Sequence, residues 1–411
     1  MKQKKLLIPL LAALLPAMVM LNNCRRKSPS ADPRGPAYAG AQSCESCHKE
    51  VYNSYIHTAH YFTSHTVSRS SMHGNFSPGF NSLVLAGGRQ IAAQRIHNDF
   101  YQVGYEDGRQ TEAHQMDLAI GGVKAETYLY WKNNQLFELP LTWFNGLHSW
   151  VNSPGYAPDQ INFDRPVAMR CLECHGSYIK QAEQLTLRGS LNSYDRKSLI
   201  AGIDCERCHG PAAQHVVYHE DHPEEKQAHF IGVFSKMSRA RKLDACAVCH
   251  GGNNERFITS AFNFKTGDTL ANFKEPGFDN TPANAATLDV HGNQNGLLAG
   301  SKCFLMSNMD CTTCHDTHVS QRNQVVLFAD KCMQCHNTAN HNNCKMAGGM
   351  DAGVMKSKCI DCHMPAMPSD QIGVQTATQK KALPYLVRTH RIAVYADEAK
   401  KILAFVRQGR H

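Results

Sequence analysis

The segment MDCTTCHDTHVS, residues 309–320, places Cys311, Cys314, His315 and His318 within eight positions. Thiols and imidazoles this close are ligands or attachment points for a metal-centred group, and two chemistries compete: a structural zinc knuckle and a covalently attached haem. A zinc site usually joins two ligand pairs from segments a dozen or more residues apart, so that four ligands reach tetrahedral directions. These four lie on about two helical turns. A c-type haem asks for two thioether bonds and a histidine directly after the second cysteine, beneath the iron. CxxCH supplies that arrangement.

The composition predicts well under ~0.1 such motifs by chance, and the chain has seven. They are CESCH (Cys44, Cys47, His48), CLECH (Cys171, Cys174, His175), CERCH (Cys205, Cys208, His209), CAVCH (Cys246, Cys249, His250), CTTCH (Cys311, Cys314, His315), CMQCH (Cys332, Cys335, His336) and CIDCH (Cys359, Cys362, His363). Fourteen of the 17 cysteines are used in this way. Seven covalently bound haem c groups are expected, each with the motif histidine as proximal iron ligand.

Sixteen further histidines can serve the opposite, distal faces. His318 is three residues beyond His315, on the side of the ring its neighbour binds, and three residues cannot round a porphyrin. It must serve another haem or none. The same reasoning applies to His215 after His209, and less strictly to His57, His60 and His65 after His48. Short-range histidines of this kind would cross-link neighbouring haems and fix their spacing. His148 and His341 are further candidates, read like His57 and His65 as structural. No particular methionine is selected, and Met364 cannot reach the far face of the haem beside it. Cys303 and Cys344, left over in an oxidising compartment, are expected to pair as a disulfide.

The elements that must hold these motifs are less regular than the length of 411 residues suggests. A hydrophobic content of 42% with long Gly, Asn and His stretches is thin for several apolar cores, and haem rings can take the place of core. Residues 1–23 read as a signal peptide, with Lys2, Lys4 and Lys5 before an apolar run from Leu6 to Leu21 that is short for a bilayer span. The ending LNNC resembles a lipobox, making Cys24 a lipidation site and residues 24–41 a Pro- and Gly-rich tether. The formal charge of +8 is no nucleic-acid footprint. It falls to about +5 without the leader lysines, and fourteen propionates take the holoprotein to about −9 with ferrous iron, or about −2 fully ferric.

Successive motifs start 127, 34, 41, 65, 21 and 27 residues apart, so the first stands alone in residues 42–66. Residues 67–166 read as a β-rich, haem-free insert. FYQVGYEDGRQTEA is a strand, an Asp-Gly turn and a strand, and ETYLYWKNNQLFELPLTWF is a second hairpin about Asn133 and Asn134. Its aromatics Tyr128, Tyr130, Trp131, Trp143 and Phe144 are expected to cover a haem edge or one another. Haems two to four fall in 167–260, a wrapping loop with a short strand near Phe262 in 261–300, and haems five to seven in 301–368. In 369–411, DEAKKILAFVRQ reads as a closing helix.

YAGAQSCESCHKEVYNSYIHTAH, LFELPLTWF with SPGY behind it, CERCHGPAAQH, SKCFLMSNMDCTTCHDTH, and CHMP followed by THRI resemble, in order over most of residues 38–392, the multihaem cytochrome c-552/4-like family. The resemblance implies an exported, largely helical and loop-rich cytochrome with haems in parallel and perpendicular pairs. Some relatives are enzymes of nitrogen or sulfur oxyanion chemistry and others are carriers. It also implies His291 and His390 as distal ligands, beside His60, His215 and His318. The chain departs from the pattern at Thr317, where relatives commonly have Pro, after Pro365, where a basic residue is missing, and in lacking a tetratricopeptide tail. All seven motifs end in His, whereas the nitrite-reductase branch attaches its catalytic haem through CxxCK.

The expected fold is mainly α and irregular, haem-packed, with a partly β insert after the first haem. The expected function is electron transfer on the periplasmic or cell-surface side of a membrane, between a redox protein donor and a terminal reductase or extracellular acceptor. The alternative is a multihaem oxidoreductase in which one open-face haem acts on a small nitrogen or sulfur compound.

Overall fold

A computed structural model describes residues 32–157, 159–182, 192–252, 256–275, 287–340, 344–346, 350–376 and 382–408. The expected leader, Cys24 and His341 lie outside the described residues.

The first strands are β1 (Ser64–Thr66), β2 (Ser82–Val84), β3 (Arg89–Ile96), β4 (Asp99–Glu106), β5 (Arg109–Gln115), β6 (Leu118–Gly121), β7 (Ala125–Lys132), β8 (Gln135–Phe144), β9 (Ser149–Asn152) and β10 (Arg165–Pro166). They form two antiparallel sheets, one ordered β2-β3-β4-β5 and one ordered β1-β6-β7-β8-β10 with β9 also on β8. Both hairpins read from the sequence form. Asp107 (φ 48°) and Gly108 (φ 77°) turn β4 into β5, and Asn133 (φ 57°) turns β7 into β8. Asp, Asn and Gly enter this left-handed region at least cost, which is why these turns fall there.

The two sheets enclose Ile91, Phe100, Met116, Tyr128, Tyr130, Leu139, Leu141, Trp150 and Phe163. Each such large apolar side chain contributes about 1.5–3 kcal/mol when fully withdrawn from water. Gln102 on β4 is fully buried, and its amide bonds both ways to Leu141 of β8, at 2.7 Å each, latching one sheet to the other. The aromatics expected to cover haem or one another pack into apolar clusters: Tyr128, Tyr130 and Trp143 in this core, Phe144 edge-on to Tyr385, and Trp131 against Tyr194.

The expectation of a mainly α and irregular fold is overturned. Besides these ten strands, β11 (Gly176–Gln181) pairs with β12 (Tyr194–Ala201), and β13 (Ala366–Val374) with β14 (Leu383–Arg388). The described residues thus hold four antiparallel sheets, and strand takes 26% of those residues. The physical reason is twofold. The β-branched and aromatic runs bury a core of their own rather than borrowing haem surface, and CxxCH needs only one or two turns of helix, so helices around the motifs stay short. Ten α-helices occur among the described residues, the longest with twelve residues.

The β region reaches the motif-bearing part at both ends. β1 begins four residues after His60 and pairs with β6, Ser64 opposite Ile120. β10 runs into helix Met169–His175, whose Leu172 packs with Leu118, Leu129, Leu136 and Tyr194. Phe262 lies in a short 3₁₀ turn, Ala261–Asn263, not in the strand expected there. The tail forms helix Ala396–Arg407, packed on helix Ala352–His363 with Lys358 Nζ 5.9 Å from the Phe405 ring centre.

Candidate haem sites

Helical spacing puts residues i, i+3 and i+4 on one face, so a CxxCH on a helix presents both thiols and the imidazole together. Helices Met169–His175, Cys205–His209, Arg239–His250 and Ala352–His363 each end on their motif histidine. Side-chain caps fix where several begin. Asp204 accepts from Arg207 N at 2.8 Å and Asp351 from Gly353 N at 2.9 Å. Asp310 accepts from Thr312 N at 2.8 Å while Thr313 Oγ1 accepts from Asp310 N at 3.1 Å, a reciprocal box at the Cys311 turn. Such caps are each worth about 0.5–2 kcal/mol. Arg34 bridges Asp204 (2.7 Å) and Glu206 (3.0 Å), tying the start of the described chain to the third motif.

The motif imidazoles meet other imidazoles in pairs. His48 faces His215 with ring centres 6.3 Å apart and planes 15° from parallel, and His209 faces His318 at 5.8 Å and 18°. His315 meets His390 at 6.2 Å with planes 31° apart, and His250 meets His60 at 6.1 Å with planes 77° apart. His291 is among the groups whose charge acts on His175. In every pair the partner comes from a segment next to a different motif. Two imidazoles on opposite sides of one metal ion, each bound at about 2 Å with its ring centre about 1.1 Å behind, would stand roughly 6 Å apart. The four measured separations fit a single iron between each pair.

Protonation and orientation fit as well, because a ligand imidazole must be neutral. Burial, opposed by a hydrogen bond to the Thr63 backbone, holds His175 at a pKa of about 4, and burial with neighbouring imidazoles does the same to His60 and His390. His48, His209, His291 and His315 are likewise lowered, chiefly by burial. Nδ1 of His209 donates to Gly232 O (2.8 Å), that of His215 to His229 O (2.8 Å) and that of His363 to Ala393 O (2.9 Å). His175 Nδ1 bonds Thr63 Oγ1 at 2.9 Å. These tethers leave Nε2 as the ligating nitrogen.

Sulfurs of different motifs also meet. Cys44 contacts Cys205, Cys174 contacts Cys249, and Cys246 contacts Cys311. Cys208 is in electrostatic reach of Cys249, Cys314 of Cys332, and Cys332 of Cys359. The motifs therefore run in space as one, three, four, five, six and seven, with two beside four.

Of the remaining histidines, His57 and His148 are exposed, and His65 Nε2 bonds Ser71 O at 3.3 Å. The expected Cys303–Cys344 disulfide is not formed: both are free thiols, Cys303 near Cys335 and Cys314, Cys344 near Cys359 and Cys362. Thr63, Gly232 and Ala393, which orient imidazoles, carried no sequence signal, since a lone Thr or a backbone carbonyl has none.

The family model described as "Cytochrome c554 and c-prime" matches residues 156–210, which hold the second and third motifs. The solved structure of an outer cell wall cytochrome, OcwA, is similar in fold, with a TM-score of 0.53 and 16% identity, covering 89% of this chain and 81% of that one. No curated protein matches the chain. Among the described residues no helix is long and apolar enough to cross a membrane. Seven CxxCH motifs, imidazoles paired at the span of one iron, and a match to a c-type cytochrome family over two of those motifs together support a multihaem cytochrome c kind with covalently bound haem.

Proposed function

We propose that the chain is an exported seven-haem electron carrier, most of whose haems are held between two histidines. The axial pairs are His48 with His215, His175 with His291, His209 with His318, His250 with His60, and His315 with His390, while His336 and His363 are the proximal ligands of haems six and seven. The single observation that supports this most is that each of four motif imidazoles faces an imidazole from another motif's neighbourhood at 5.8–6.3 Å. Haem supplies one-electron chemistry, and the chain supplies spacing, neutral ligands and burial. Two imidazoles, with no methionine, keep potentials low.

The export reading rests on the leader, and tethering through Cys24 would leave the globule on the periplasmic or outer side, between a redox protein donor and a terminal reductase or extracellular acceptor. Residues 156–210 support kinship with the c554 group, and the name of OcwA, an outer cell wall cytochrome, is in keeping with an extracytoplasmic place. The spectra of purified protein, oxidised and reduced, with and without carbon monoxide or nitrite, test the carrier. All haems are expected low-spin and inert to added ligand, and a stoichiometric high-spin haem that binds either would overturn it.

One observation favours the second reading, an oxidoreductase acting on a small nitrogen or sulfur compound. Among the described residues no imidazole lies against His363, whose ring is held from behind by Ala393. The same titration with nitrite would then perturb one haem of seven.

A further inference from the structure

The tethers on the motif histidines are not alike. His209 and His363 donate from Nδ1 to backbone carbonyls, at 2.8 and 2.9 Å, whereas His175 meets the hydroxyl of Thr63 at 2.9 Å. With Nε2 on iron, Nδ1 carries the ring's proton, and Thr63 Oγ1 accepts it at hydrogen-bond distance with the Thr63 carbonyl close by. A hydroxyl is a weaker acceptor than an amide carbonyl. It draws the proton less, leaves the ring with less imidazolate character, and so gives less electron density to the iron. The ferric state, which carries the extra positive charge, gains most from that density and is stabilised least here.

The hydroxyl is held in place from several sides. Thr63 N donates to His60 O at 3.3 Å, and Thr63 O accepts from Gly121 N at 2.8 Å. Ser64 Oγ donates to the carbonyl of His175 itself and accepts from Gly202 N at 2.9 Å. Gly202 has φ 68°, and a Cβ there would collide with the carbonyl of Tyr61, so only glycine lets the two segments meet this closely. Three consecutive links thus lock residues 60–64, which carry the His60 candidate, against the second motif.

We propose that Thr63 is a positioning residue that tunes the haem of the second motif, keeping its reduction potential above that of the third-motif haem, whose histidine donates to a carbonyl. The inference rests on His175 and His291 being the axial pair of that haem. It makes the second-motif haem, which lies beside the fourth in the spatial order, a local store where an electron rests before moving on.

The test is a spectroelectrochemical titration of holoprotein in which covalent haem content is first shown to be unchanged. Thr63→Val removes the hydroxyl acceptor, leaving the backbone unchanged, and is expected to move one wave of the titration to higher potential. Thr63→Asn offers an amide carbonyl and is expected to move the same wave lower, while Thr63→Ser leaves it at the wild-type position. Loss of packing alone would displace the wave in one direction for both Val and Asn, so equal-signed shifts, or no shift in either, overturn the proposal. The wave is identified in a His291→Ala background, where the second-motif haem becomes high-spin and separately visible. If His291→Ala stays wholly low-spin, the axial pairing fails, and the assignment to this haem falls with it.

Discussion

His318 stands three residues after His315, yet its ring lies on His209, from a motif about a hundred residues earlier in the chain. Ser54 Oγ reinforces this by donating to His318 O at 2.7 Å, and Tyr55 packs its ring 6.2 Å from the imidazole. Chain geometry excludes the adjacent haem, and tertiary packing selects which other one. If His209 and His318 share an iron, replacing both with alanine perturbs one haem, whereas His315→Ala with His318→Ala perturbs two. Counting high-spin haems by low-temperature electron paramagnetic resonance decides between these, and equal counts would remove His318 from the third haem.

At the scale of elements, the β region behaves as a cored body that presents two edges to the haem motifs. Next to one edge, β10, lies a titratable group. Glu138 on β8 lies opposite Leu129 of β7 and Arg165 of β10, and burial pushes its carboxyl up to about 7 while Arg165, 3.4 Å away, pulls it back. An acid raised in the folded state above its ordinary value costs stability when it ionises. Its stabilising contribution is full below the ordinary carboxylate pKa and is lost as pH rises through about 7. The raised value corresponds to about 3 kcal/mol. Thermal unfolding followed by circular dichroism should therefore show stability declining from pH about 4.5 towards 8, and Glu138→Gln should flatten most of that decline. An unchanged slope in the variant would assign the pH dependence to other groups.

Across the whole molecule, the partner imidazoles criss-cross. The segment after the first motif meets the histidine of the fourth, that after the third meets that of the first, that after the fifth meets that of the third, and the C-terminal segment meets that of the fifth. Such interlocking holds the motifs in a fixed spatial series with few long helices, because each iron would staple two distant segments. The expected holoprotein carries seven haems by thioether bonds. Intact mass should exceed that of the mature polypeptide by seven haems, and acid acetone should extract none. A mass corresponding to fewer, or extractable haem, would show that some motifs stay empty.

The sequence by itself determined the chemistry, because CxxCH is a local instruction in which two thiols and an imidazole must share one helical face, and seven copies leave little room for accident. Local turn chemistry likewise made the Asp107-Gly108 and Asn133 hairpins legible, and acid-to-base polarity with helical spacing marked the closing helix. Tertiary structure decided the rest. Which distal imidazole meets which motif depends on contacts between segments tens to hundreds of residues apart. The extent of sheet was hidden because β11–β12 and β13–β14 pair with register shifts and their buried and exposed residues do not alternate along the strand. Cys303 and Cys344, which look like a disulfide on counting alone, are free thiols that lie by different motif cysteines, Cys335 and Cys359. Thr63 becomes meaningful only where folding lays its hydroxyl against His175.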